Sequence, residues 1–279
     1  MNPKSLRSEI GVGATNEFSL RISVATLVRV LFEHPKTGAL WLALERKATR
    51  QETASGPVVE VKSQPFGGAI RILDLPALQD VLPEFHFDSE QSRSERDFRI
   101  FIRPSEWEAV QACCLAHLNQ RKNSVLESDP TRELAEEVGG SLGIRLGRDQ
   151  YTLHATRMIV EDDPSPTEFI HAKGYPTARI YRIFEARIVD PSLASGMIDN
   201  SENCSDQHLR DLALQDSRQG RHGKANGILT LPFKEVHEAY LAIPLEARNR
   251  PMWFRGHQLD ETVAAVLEDI PVPKYRRLS

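Results

Sequence analysis

Arg132, Glu133, Glu136 and Glu137 place three carboxylates and a guanidinium within a few residues of one another. At about 100° per residue on a helix, the three glutamates share an arc of roughly 100°, and Leu134, Ala135 and Val138 take the opposite side. Clustered carboxylate oxygens are the donors that a hard divalent cation, Mg²⁺ or Mn²⁺, requires. As a bare helix the pattern is unfavourable. Glu133 and Glu137 repel at i,i+4, and the last two carboxylates sit toward the negative end of the dipole, each effect being about a few tenths of a kcal/mol. A cation bound at that face reverses the sign. A solvated acidic face, with Arg132 paired to Glu136, is the alternative that the charge pattern alone leaves open.

Both ends of such a helix are marked. Asp129 suits an N-cap, Pro130 suits the first helical position, and Gly139-Gly140 predicts the C-terminal stop. Far upstream, Gln64-Pro65-Phe66-Gly67-Gly68-Ala69 predicts a turn whose paired glycines let the main chain approach a ligand closely. Apolar runs at residues 24–32 and 39–44 flank a turn at 35–38 and predict a hairpin, and residues 58–61 predict a short strand leading into the glycine turn. Glu45-Arg46-Lys47 stands at the exit of the second strand.

The run Arg132-Glu133-Leu134-Ala135-Glu136-Glu137-Val138-Gly139 resembles the second half of the Nudix box and matches it at every specified position. The aliphatic residue that closes the family pattern is replaced by Gly140, with Leu142 the nearest substitute. Counting back, the opening glycine of the box falls on Leu118 and its first glutamate on Ser124, so the box is not contiguous. The Gly67-Gly68 turn looks like the Pro-Gly-Gly turn that precedes the box helix in Nudix proteins. On that reading, residues 70–128 are an insertion between turn and helix.

The resemblance implies an α/β fold, a Nudix-type α/β/α sandwich with a mixed β-sheet, as a single domain over residues 1–279. It implies Glu133, Glu136, Glu137 and the carbonyl of Gly67 as ligands of Mg²⁺ or Mn²⁺. Glu133 is then a candidate base, Arg132 orients the carboxylates, and Arg46, Gly68 and Glu185 are candidates for substrate contact. Glu168 is a further base candidate, while Phe66, Phe169 and Trp253 are stacking candidates that serve as readily in a core. The implied reaction is hydrolysis of a phosphoanhydride bond in a nucleoside diphosphate linked to another moiety. The absent box glutamate and the insertion keep a second reading open, a Nudix-like module that senses a nucleotide without cleaving it.

With 279 residues, 40% hydrophobic and 27% charged, the chain has ordinary globular composition, and its net charge of −4 provides no global field for nucleic acid. No apolar run approaches the ~18 residues that span a bilayer, and the polar N-terminus lacks a signal-peptide core, which predicts a cytoplasmic protein. Cys113, Cys114 and Cys204 are neither a disulfide framework nor a zinc spacing. Within the insertion, residues 76–96 read as loop, 98–102 as a strand, and 104–119 as a helix that packs or forms a homodimer contact. Residues 151–160 and 178–189 predict two long strands, 190–226 a mobile loop or lid with one short helix near 207–214, 228–231 a last strand, and 259–267 the terminal helix.

Overall fold

Alternation along Leu20–Glu33 puts Ile22, Val24, Val28, Val30 and Phe32 on one side of a strand and Leu27, Arg29 and Leu31 on the other, and both sides are buried. That strand is β1 of a computed structural model describing residues 17–53, 56–120, 123–167, 172–218 and 224–278. Glu168 and Phe169 lie outside the described residues. The further strands are β2 (Leu40–Thr53), β3 (Gly56–Gln64), β4 (His86–Phe87), β5 (Arg99–Ile102), β6 (Tyr151–Pro166), β7 (Pro176–Ile188), β8 (Lys224–Pro232), β9 (Met252–Phe254), β10 (His257–Leu259) and β11 (Tyr275–Arg277). The helices are α1 (Leu75–Val81), α2 (Glu90–Glu95), α3 (Trp107–Leu118), α4 (Thr131–Leu142), α5 (Pro191–Asn203), α6 (Asp206–Arg218), α7 (Phe233–Ala242) and α8 (Val263–Val266).

The strands form one mixed sheet in the order β11-β6-β7-β1-β2-β3-β10-β9, with β8 added to β2 and β5 to β1. β1 runs parallel to β7 from Arg21↔Thr177 to Leu31↔Arg187, a buried parallel pair whose strands are accordingly apolar on both sides. β2 pairs with β8 along one edge, while its other edge pairs first with β1, through Leu40–Ala43, and then with β3, from Glu45 onward. β1 and β3 therefore share an edge of β2 and diverge from each other. Into that gap runs the chain from Pro65 to Ala69, tied to β1 by Val28 N–H to the Phe66 carbonyl at 2.7 Å and Thr26 N–H to the Gly68 carbonyl at 2.9 Å.

Helices cover both faces of this α/β sandwich. On one face Val28, Val30, Phe32 and Ala43 pack against Leu134 and Val138 of α4 and against Leu193, Ala194 and Met197 of α5. The same face continues over Ile22, Val24 and Ile100, which pack against Val110, Cys113, Cys114 and Leu118 of α3. On the opposite face Leu31, Leu42 and Leu44 meet Val236 and Tyr240 of α7, while Leu27 and Ile183 meet Val266 of α8. Among the described residues no helix is long and apolar enough to cross a membrane.

Several expectations change. Residues 70–128 form not only β5 and α3 but also α1 and α2, begun by Asp74 and Ser89 caps in a stretch read as loop. α3 packs its apolar stripe against the sheet, as its spacing predicts. The mobile loop expected at 190–226 is instead largely the two helices α5 and α6. Asp190 caps α5 by accepting from the Ser192 and Leu193 amides, and burial of Leu193 and Met197 contributes about 1.5–3 kcal/mol each. The helix expected at 259–267 shrinks to α8, and the longer α7 begins directly after Pro232 closes β8.

Candidate functional site

α4 is built differently at its ends from the sequence expectation. Pro130 is its N-cap residue, with Asp129 accepting from the Thr131 amide at 2.9 Å. Gly139 and Gly140 lie inside the helix, and Gly143, at φ +66°, forms the left-handed C-cap. Leu134 and Val138 anchor the helix to the sheet, which turns Glu133 and Glu137 toward the Gly67-Gly68 turn.

Glu137 Oε2 accepts the Gly67 amide at 2.7 Å. Gly67 has φ +132°, and a Cβ there would stand 2.2 Å from the Thr26 carbonyl oxygen, so both the backbone conformation and the close approach to β1 demand glycine. At Gly68 a Cβ would stand 2.4 Å from Glu133 Oε2. The missing side chain is the space that the Glu133 carboxylate occupies. Two glycines and two glutamates separated by the whole insertion thus interlock. The contact that Gly67 makes to the helix is through its amide, whereas the sequence reading assigned its carbonyl to a metal.

Two residues that sequence reasoning passed over complete the centre. Glu45 and Lys47 project from β2 on the same side as Ala43, toward α4. Glu45 is fully buried; its carboxylate accepts from Gln64 Nε2 at 3.1 Å and Asn226 Nδ2 at 2.9 Å, and lies 2.9 Å from Lys47 Nζ. Lys47 Nζ is also 3.8 Å from Glu137 Oε1. Burial, and then the Glu45 carboxylate, push the Glu137 carboxyl up to about 8, against the opposing pull of Lys47 and the Gly67 amide. Glu133 is also raised, by burial first and by Glu136 and Glu127, with Arg132 opposing. Burial lowers Lys47, but Glu45 and Glu137 outweigh it and leave the amine raised.

Arg132 is the hub of the outer half of the site. Its guanidinium grips Glu127 at 3.1 and 2.8 Å, reaches Glu136 at 3.2 Å and pairs with Glu133. Burial lowers its pKa, but the Glu127 hydrogen bonds and the surrounding carboxylates outweigh it and hold the cation strongly protonated. Glu127, three residues beyond Ser124, is the partner that the sequence reading missed. Glu136, whose side chain is 58% exposed, is drawn to Arg132 and not to the Gly67-Gly68 turn. With Glu136 and Glu137 so engaged, no group of three or more His, Cys, Asp or Glu among the described residues is arranged to hold a metal as it stands.

Arg46 and Glu185 do not join the glutamates. Arg46 points to the other side of β2, buried against Asp206 at 3.2 Å and the carbonyls of Ser201 and Ile228 at 3.0 and 2.8 Å. Glu185 pairs with Arg29 at 2.5 Å, and Arg29 shares its side of β1 with Leu27 and Leu31, the side covered by α7 and α8. Phe66 is wholly core, and Trp253 is exposed on β9. A cleft of about 830 Å³ is lined by Lys62, Glu161, Asp163, Arg179, Asp260 and Lys274, among others, and by none of Glu45, Lys47, Glu133 or Glu137. Lys62 is the cross-strand neighbour of Lys47.

Comparison of the chain with protein-family models, with curated proteins and with solved structures finds no match.

Proposed function

We propose that this protein is a divalent-cation-dependent hydrolase of the Nudix type that cleaves a phosphoanhydride bond in a nucleoside diphosphate linked to another moiety. The observation that carries the proposal is the clasp between the Gly67-Gly68 turn and Glu133 and Glu137 of α4, since the two parts of the motif are far apart in sequence and meet in space. The donor chemistry suits Mg²⁺ or Mn²⁺: Glu133, Glu137 and Glu45 offer hard carboxylate oxygens, with Glu137 raised by burial and Glu45, and Glu133 raised by burial and its neighbours Glu136 and Glu127. A bound divalent cation would supply charge neutralisation of the diphosphate and a lowered pKa for the attacking water.

The chain's own residues have separable tasks. Glu133 and Glu137 would hold the cation, and the Gly67 amide fixes one oxygen of Glu137 while its other oxygen faces Lys47. Arg132 positions Glu133 and Glu136 through its grip on Glu127. Glu133, raised by burial, is the base nearest the turn.

A second reading, nucleotide sensing without turnover, is favoured by the engagement of Lys47 with Glu45 and Glu137 and of Arg132 with Glu136, which satisfies carboxylates without a metal. A panel of nucleoside triphosphates, dinucleotides and nucleotide sugars, each with Mg²⁺ or Mn²⁺, separates the two. The hydrolase reading expects cation-dependent release of a nucleoside monophosphate from at least one compound that carries a diphosphate bridge. Binding without cleavage of any of them would establish the sensor in its place.

A further inference from the structure

A fully buried carboxylate needs hydrogen-bond partners and a counter-charge. Glu45 has both: Gln64 and Asn226 donate to its two oxygens, and Lys47 brings the positive charge to 2.9 Å. The same ammonium stands 3.8 Å from Glu137 Oε1, beyond hydrogen-bond distance but well within electrostatic reach. One oxygen of Glu137 is committed to the Gly67 amide, and the oxygen that faces Lys47 is the one left to a cation. Lys47 therefore sits between a carboxylate of β2 and a carboxylate of α4. Its side chain is 30% exposed, so its long stem has a way out.

We propose that Lys47 is a resident counter-cation, which a divalent cation displaces from Glu45 and Glu137 when it binds. The inference rests on the metal-site reading given above. An ammonium and a divalent ion a few ångströms apart repel strongly even at the effective dielectric of a protein surface, so the two occupy the carboxylates in turn. The ammonium released from the carboxylates leaves through the exposed part of its side chain, which makes Lys47 a positioning residue coupled to metal loading.

Calorimetric titration of Mg²⁺ into the wild type, Lys47→Met, Lys47→Arg and Lys62→Met tests this without reference to activity. Loss of the competing charge should tighten Mg²⁺ binding by Lys47→Met at least ~10-fold, with Lys47→Arg close to wild type and Lys62→Met changed by less than ~3-fold. Unchanged or weaker binding by Lys47→Met would overturn the displacement. So would equal tightening by Lys62→Met, which would reduce it to a general field effect. Because Lys47→Met leaves Glu45 without a counter-charge and is exposed to misfolding, the wild type is also probed by brief acetylation read by peptide mass spectrometry. Saturating Mg²⁺ should raise modification of Lys47 several-fold and leave Lys62 unchanged; protection of Lys47, or no change there, overturns the proposal. If neither Mg²⁺ nor Mn²⁺ binds the wild type, the metal-site reading itself falls and takes this inference with it.

Discussion

Glu137 is gripped by a backbone amide on one oxygen and crowded by Glu45 and Glu133, and that conflict makes it the most informative residue to change. Glu137→Gln keeps volume and helix propensity, still offers an oxygen to Gly67, and can donate to Glu45. If the glutamates hold the catalytic cation, kcat/KM falls at least ~100-fold, while stability without metal stays level or rises. A solvated acidic face predicts no loss of activity, and a purely structural ion pair predicts lower metal-free stability. The pH dependence follows from the sign of the shift. Burial raises Glu137 above its unfolded value, so between the ordinary carboxylate range and about 8 the folded protein keeps a proton that the unfolded chain has lost, and cation-free stability falls as pH rises through that window. Melting curves in chelator should show this decline in wild type, and Glu137→Gln should reduce it. The two glycines separate in the same way. Gly67→Ala meets backbone at 2.2 Å with φ +132° and should lose about 2–4 kcal/mol of stability, measured by urea unfolding. Gly68→Ala meets only the movable Glu133 carboxylate, so it should cost far more activity than stability.

At the scale of elements, the sequence exposes whatever depends on local chemistry and hides what depends on a distant partner. β1, β2, β6, β7 and α4 are legible because long apolar alternation and a capped, periodic helix are local signals. The end of α4 is not, because Gly139 serves packing: a Cβ there would stand 2.7 Å from the Ile144 carbonyl oxygen, and the left-handed cap falls to Gly143. Period two states that Glu45 and Lys47 share one side of β2 and Arg46 takes the other, yet only the assembled sheet decides which side receives α4. The expectation for Arg46 accordingly passes to Lys47, the residue that faces the glutamates. The short helix expected near 207–214 falls within α6, whereas α5 reads as loop because its Ser, Asp and Asn content masks a helix whose polar side chains have structural work. Asn200 Oδ1 accepts the Ile228 amide at 2.8 Å and Ser201 Oγ accepts the Thr230 amide at 2.9 Å, so α5 closes the open edge of β8. Hydrogen exchange should accordingly find the amides of α5 around Leu193 to Met197 strongly protected; rapid exchange there would restore the lid that the sequence suggested.

For the whole molecule, the insertion and the glutamate helix lie on one face of the sheet, and α7 and α8 back the other. This separation lets the Gly67-Gly68 turn and α4 meet although residues 70–128 lie between them in sequence. The turn is fixed by β1 through Thr26 and Val28, the helix is fixed by Leu134 and Val138, and the intervening chain packs around Phe98, Val110 and Leu126 against the sheet and reaches the site through Glu127, which pairs with Arg132. The central claim is that turn and helix together form a divalent-cation site, and Mn²⁺ binding followed by electron paramagnetic resonance reads that site directly. Wild-type protein should take up Mn²⁺, and the double variant Glu133→Gln/Glu137→Gln, folded by circular dichroism, should bind it at least ~100-fold more weakly, since two carboxylate ligands are lost. Equal Mn²⁺ affinity in the wild type and the folded double variant would contradict the account.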